Sequence, residues 1–237
     1  MLSLLLASFL TLNAHAAIQG ADTRTLVVNA RILDPNNPAR DLFTYDRVPK
    51  ARENQLTVTY TYKDPSGSVV AQEQISYTDG KVSAYVVDQM QLGERGGFEV
   101  QGNRISFHYT KDGESKTSEE TLDEPLVVGD SLVAFIHDHW DDLKEGRSLK
   151  VRMPVTDRRE TFGFKFEREP DSMLDGKAVH SFKFSASSFF VRMAVKPLHI
   201  FLSASEKKPL VKITGRVFPK VKRDGKWEDL DTVSLFR

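Results

Sequence analysis

The feature that most restricts this chain is a period of two in its apolar residues. Leu56, Val58, Tyr60 and Tyr62 alternate with Thr57, Thr59 and Thr61, so an extended backbone there presents one apolar and one polar face. The alternation recurs at Ile105, Phe107 and Tyr109, at Leu149, Val151, Met153 and Val155, and at Phe162, Phe164 and Phe166. It recurs again at Phe182 and Phe184, at Val211, Ile213 and Val217, and at Val233 and Leu235. Turn signals separate these runs. Asp-Gly stands at 79–80, 112–113, 175–176 and 224–225, and Asp64-Pro65-Ser66-Gly67 adds another. Asp and Gly both tolerate the positive φ that a two-residue hairpin requires. Short strands joined this way specify antiparallel pairing rather than βαβ units.

Two segments follow a helical period instead. In residues 130–145, Leu132, Ile136, Trp140 and Leu143 form a stripe, with Asp130 or Ser131 as cap and Gly146 as stop. Residues 187–196 begin at Ser187 or Ser188 and end before Pro197. Both are expected to lie across the sheet and cover part of its apolar face. The expected fold is therefore mainly β: a single curved antiparallel sheet, an open or half barrel, with two short helices packed on it. Residues 34–40, DPNNPAR, read as a loop and as the one candidate boundary. The roughly 20 residues ahead of it are too few for a domain.

The first residues, MLSLLLASFLTLNAHAA, resemble a secretory leader. Leu2–Leu12 is an apolar run of signal-core length, and Ala14-His15-Ala16 supplies small residues where a signal peptidase reads. No Lys or Arg precedes the core, which departs from the pattern, and the competing reading is a buried N-terminal helix. The expected organisation is a signal peptide over 1–16 and a single β-rich domain over 17–237. The run is shorter than the roughly 20 apolar residues that span a bilayer, so no transmembrane segment is expected after processing. The chain has no Cys, which excludes disulfides, thiolate metal sites and a Cys nucleophile within it. Lys plus Arg and Asp plus Glu both number 33, so no global basic field exists for nucleic acid. The expected location is periplasmic or secreted.

Motifs that carry chemistry are sparse. His137-Asp138-His139-Trp140-Asp141-Asp142 places His137 and Asp141 one helical turn apart, but nothing nearby completes a metal set by a known spacing. It reads as a solvated helix face, and no metal or cofactor is expected. His108, His180 and His199 are isolated. There is no Gly-x-Ser-x-Gly, and the Gly93–Gly97 run GERGG lacks phosphate-loop spacing and reads as a flexible turn. No catalytic residue is assigned. Lys207, Lys208, Lys212, Arg216, Lys220, Lys222 and Arg223 offer two readings, a site for phosphate-bearing lipid or sugar and, favoured by the alternating positions, the water-facing side of a hairpin that guards a sheet edge. The fifteen Phe carry more weight. Phe162, Phe164, Phe166, Phe182 and Phe184, with Trp140, either form a filled core or line a cavity for an apolar ligand, and alternation alone does not distinguish the two.

Two longer stretches, VVGDSLVAFIHDHWDDLKEGRSLKVRMPV at 127–155 and FFVRMAVKPLHIFLSASEKKPLVKITGRV at 189–217, carry a resemblance. The order of elements from Leu56 onward is similar to a group of uncharacterised exported bacterial β-rich proteins, and loosely similar to periplasmic half-barrel domains of unknown function. The resemblance implies an envelope location and a fold, not a reaction. Lipoprotein-carrier domains share the half-barrel idea without a residue-level match. The leading expectation is a periplasmic binding or accessory protein for an apolar small molecule or lipid. The alternatives are an envelope protein-interaction factor using a sheet edge, and a hydrolase centred on His137 to Asp142. Cleavage after Ala16 is predicted, and the intact mass of protein recovered from a periplasmic extract would show it; a retained N-terminus would refute it.

Overall fold

A computed structural model describes residues 29–216 and 218–236; the expected leader and Val217 lie outside them. The first arm is a meander of β1 (Asn29–Asp34), β2 (Asn37–Arg52), β3 (Gln55–Lys63), β4 (Val69–Thr78), β5 (Lys81–Gln89), β6 (Glu94–Gln101), β7 (Arg104–Lys111) and β8 (Glu114–Thr121). A connection carrying helices α1 (Ser131–Asp138) and α2 (Trp140–Lys144) leads to the second arm. That arm comprises β9 (Leu149–Val155), β10 (Glu160–Leu174), β11 (Lys177–Ala186), helix α3 (Phe189–Ala194), β12 (Leu198–Ser203) and β13 (Leu210–Arg216). A small hairpin of β14 (Val221–Arg223) and β15 (Lys226–Glu228) precedes the last strand, β16 (Asp231–Phe236). The arms join where β1 pairs antiparallel with β16, giving one 14-stranded sheet in the order 8-7-6-5-4-3-2-1-16-13-12-11-10-9. The fold is mainly β, as the alternation implies.

Local chemistry accounts for the register. All four Asp-Gly pairs form two-residue hairpins with φ positive at both positions, for example 51° and 75° at Asp79-Gly80. They join β4 to β5, β7 to β8, β10 to β11 and β14 to β15. On β3, Leu56, Val58, Tyr60 and Tyr62 are all buried. They belong to a first apolar core under β1–β7. A second core lies under β9–β13, where Phe166, Phe182 and Phe184 meet Val133, Ile136 and Leu143 of the helices. Each such side chain contributes roughly 1.5–3 kcal/mol on full burial.

The sheet curls until its edges approach, but no main-chain ladder closes it. The free side of β9 is covered by the connection, where Val127 N–H donates to the Arg152 carbonyl and Arg152 N–H to the Pro125 carbonyl, at 2.9 and 2.8 Å. Strand β8 meets the start of β10 through side chains. Glu120 accepts from the Thr161 N–H at 3.2 Å, and Ser118 Oγ donates to the Arg159 carbonyl.

Four sequence expectations need correction. Residues 34–40 are not a boundary loop: Asp34 Oδ1 accepts the Asn36 N–H at 3.0 Å, an Asx turn that returns the chain directly into β2. In GERGG only Gly93 is in the turn. Gly96 and Gly97 are buried in β6, where a Cβ on Gly97 would stand 2.4 Å from the Tyr85 carbonyl oxygen. Within the basic segment Lys212 and Arg216 do not guard an edge, because β13 is paired on both sides, and Lys222 and Arg223 lie on β14 of the separate small hairpin. Finally, among the described residues there are three short helices where two were expected. The 130–145 helix breaks at His139, with φ −111° and ψ 28°, and α3 buries none of its residues fully.

Trp140 of α2 is half-buried, its ring 5.6 Å from Phe182 and 5.0 Å from His180, with Lys208 Nζ 4.8 Å away over the indole. Trp140→Ala is predicted to destabilise the protein by about 2–3 kcal/mol, below the roughly 3–5 kcal/mol of a fully enclosed aromatic ring. Urea denaturation would measure it, and a near-neutral variant would show that α2 needs no anchor.

Candidate functional site

Between the two cores lies a cavity of about 450 Å³. That is within the roughly 300–1,000 Å³ typical of small-ligand sites. Its first wall comes from β2–β5, which contribute Tyr45, Tyr60, Tyr62 and Tyr85. Its second comes from β10 and β11, which contribute Phe164 and Phe184, stacked with centroids 4.7 Å apart. Val128, Gly129, Asp130, Leu132 and Val133 of the connection and first turn of α1 enter from one side, and Phe218 and Pro219 from another. Tyr45 packs on Tyr62 at 5.2 Å and Tyr62 on Phe218 at 5.3 Å, so the tyrosine wall is braced ring on ring.

The deep carboxylates are few and paired. Glu73 of β4 is buried and accepts from the Tyr62 hydroxyl at 2.6 Å and the Tyr85 hydroxyl at 2.8 Å, one on each carboxylate oxygen. Burial holds its carboxyl above the usual range; the two hydroxyls pull it down, and Asp130 pushes it further up. The tyrosine hydroxyls are themselves held well above their ordinary value, first by burial. Arg47 of β2, with 2% of its side chain exposed, donates from Nε to Asp130 Oδ2 at 2.6 Å. With Asp130 engaged by Arg47, α1 has no side-chain cap; Ser131 Oγ instead accepts the Val128 N–H at 2.7 Å, which ties the connection to the helix start. Gly129, at φ +53°, lets the connection press against β4, since a Cβ there would lie 2.3 Å from Ile75 Cδ1.

The mouth is charged. Arg216 and Lys220 lie 3.4 and 3.7 Å from Asp229, and Lys196 lies 2.8 Å from Asp231. Glu94, also on the lining, pairs with Lys111 at 2.7 Å. On the wall, the Gln89 side-chain oxygen is buried and has no donor among the described residues.

Of the aromatic residues singled out in the sequence, Phe164 and Phe184 line this cavity. Phe166 and Phe182 are fully buried in the second core, Phe162 packs at its margin, and Trp140 lies on the far side of Phe182. The His137–Asp142 segment lies off the cavity lining. His139 approaches Asp142 at 3.5 Å, and Asp142 also pairs with Arg147 at 2.7 Å. Among the described residues no group of three or more His, Asp or Glu converges as metal ligands would. The tyrosine wall and Glu73 were not singled out in the sequence. The signal was there: Glu73 shares the inward phase of β4 with Ala71, Ile75 and Tyr77, and a carboxylate on an apolar phase marks a buried polar site.

No family model matches the chain, and no curated protein matches it in sequence. Three solved structures are similar in shape. A β-barrel-like protein of the domain of unknown function DUF1849 from Brucella abortus shares 7% identity at a TM-score of 0.43, over 90% of this chain and 97% of that one. A candidate lipoprotein from Parabacteroides distasonis shares 8% at 0.28, over 89% and 92%. A porin-like protein from Bacteroides uniformis shares 11% at 0.23, over 90% and 96%. With identities this low and TM-scores between 0.23 and 0.43, none of the three bears on what this chain binds. Among the described residues no helix is long and apolar enough to cross a membrane.

The raised Glu73 pKa has a testable sign. Above the ordinary carboxylate range near pH 4.5, the folded chain keeps a proton that the unfolded chain has released, so stability falls as pH rises through that window. Glu73→Gln keeps an acceptor for the tyrosines and removes the titration. Urea denaturation from about pH 4 to about pH 8 should show stability falling more, or rising less, with pH in the native protein than in the variant. An unchanged slope would place the proton elsewhere.

Proposed function

We propose that this chain is an exported binding protein of the bacterial envelope that holds an apolar or lipidic ligand between its two β arms. The observation that carries the reading is the cavity, walled by Tyr45, Tyr62, Phe164, Phe184 and Phe218, with its inner carboxylates Glu73 and Asp130 already held by Tyr62, Tyr85 and Arg47 and further charge at its mouth. Apolar area removed from water is worth roughly 25 cal/mol per Å², which favours a chain-like or ring-like apolar body inside. The unpaired Gln89 oxygen offers one hydrogen bond to a ligand donor, an orienting contact rather than the source of affinity. Recognition through a sheet edge has less support. The β9 edge is already covered by Pro125–Val127, and β8 reads ESKTSEET, a charged strand of the kind that discourages added strands. The periplasm as location rests on the leader-like first sixteen residues.

Protein purified from cells without detergent should release lipid or fatty acid on solvent extraction, read by mass spectrometry. Phe164→Trp adds bulk on the wall and is expected to lower that load at least severalfold while the fold persists. A native protein carrying no extractable apolar molecule, with Phe164→Trp destabilised by the roughly 1–3 kcal/mol of overpacking, would identify the interior as closed core.

A further inference from the structure

Helix α3 does not behave as the sequence suggests. Its Val191 packs on the second core, and Arg192 fastens its start by donating to the Ser187 carbonyl at 3.0 Å. Phe189, Phe190 and Met193 then point into solvent, 62, 77 and 67% exposed. The two Phe rings contact each other at 5.9 Å. Three large apolar side chains on one six-residue turn are uncommon on a surface facing only water. The chain leaving the helix runs straight into the mouth, where Val195 and Lys196 line the cavity.

The charge around this turn has one sign along the chain. From Gly176 to Ser205 there is no Asp or Glu, while Lys177, Lys183, Arg192 and Lys196 fall within that stretch. Arg192 and Lys196, the two nearest the Phe pair, are exposed, and the carboxylate that reaches Lys196 is Asp231 from β16. An apolar tip flanked by cations matches the layered chemistry of an anionic bilayer: acyl chains at the boundary take Phe and Met, while lipid phosphates take Arg and Lys.

We infer that α3 is a membrane-docking wedge, in which Phe189, Phe190 and Met193 enter the headgroup–acyl boundary of an anionic bilayer and bring the cavity mouth against the lipid surface. This rests on the cavity reading for its purpose, passage of an apolar ligand between bilayer and cavity without crossing water. It rests on α3 alone for its contact.

Flotation of the purified full chain with vesicles of phosphatidylglycerol and phosphatidylethanolamine tests it. The native protein should float with these vesicles and much less with pure phosphatidylcholine. Phe189→Ser with Phe190→Ser should cut the bound fraction at least tenfold while thermal unfolding stays as in the native protein. Arg192→Gln with Lys196→Gln should weaken binding at low salt, an effect that added salt abolishes in the native protein too. Equal flotation of the double-Ser variant overturns the inference. So does a native protein that ignores vesicles, or one that self-associates through this patch, seen as a dimer by sedimentation that the double-Ser variant abolishes. The two readings fail separately: lipid-laden protein that does not float removes the docking and spares the cavity, whereas protein that floats but carries no lipid does the reverse.

Discussion

Four residue pairs, from Ala30 with Phe236 to Leu33 with Val233, join strands at opposite ends of the described sequence. Without that ladder the chain is two separate meanders whose apolar faces no longer share one interior. Long-range pairing of this kind carries a closure entropy that local hairpins do not, and it is compensated only when both faces are covered together. Ile32 of β1, almost fully buried, and the buried Ser234 opposite it show that the junction lies inside the assembled structure. The cavity depends on this seam, since its two aromatic walls belong to different arms.

Curling without closure explains how the interior is divided. Once β8 and the start of β10 meet through Glu120 and Thr161, the connection from β8 to β9 has little route except across the inner space. It brings α1 and α2 with it. Where the helices press on Phe166, Phe182 and Phe184 they complete a core; where they end, the cavity begins. Arg47 and Asp130 set that division, tying the start of α1 to β2. Withdrawing two charges from water is costly, and such a pair contributes little net stability against an apolar replacement, but removing one partner costs about 3–5 kcal/mol. It thereby fixes where α1 starts rather than adding to total stability.

The parts legible in the sequence are those decided within a few residues. Alternation placed the inward face of β3 correctly, and the Asp-Gly pairs placed four hairpins, because strand phase and turn geometry are local. The break at His139 was not legible, since the 130–145 stripe continues through it. Core and cavity could not be separated among the Phe residues because the difference is how far the opposite arm stands from each ring. Phe164 and Phe166 share a strand face, yet Phe164 lines the cavity while Phe166 is enclosed beneath Phe135 of α1, 5.2 Å away. The exposure of α3 has the same origin: a capped helix with two Phe reads as a core face until its surroundings are known.

The tyrosine wall shows what the interior is organised to tolerate. Phe at Tyr62 and Tyr85 would make the same apolar contacts without a hydroxyl to satisfy. Tyr requires a buried acceptor for each, and Glu73 provides two, at the cost of a desolvated carboxyl whose pKa is raised. A chain selected only for a filled core has no reason to keep that arrangement. The cluster instead fixes ring orientations on one wall, so the wall can stand rigid beside unfilled space rather than collapse into it. Cavities persist when the side chains around them cannot relax inward, and hydrogen-bonded tyrosines braced by Tyr45 and Phe218 resist such relaxation better than freely packed aliphatics would.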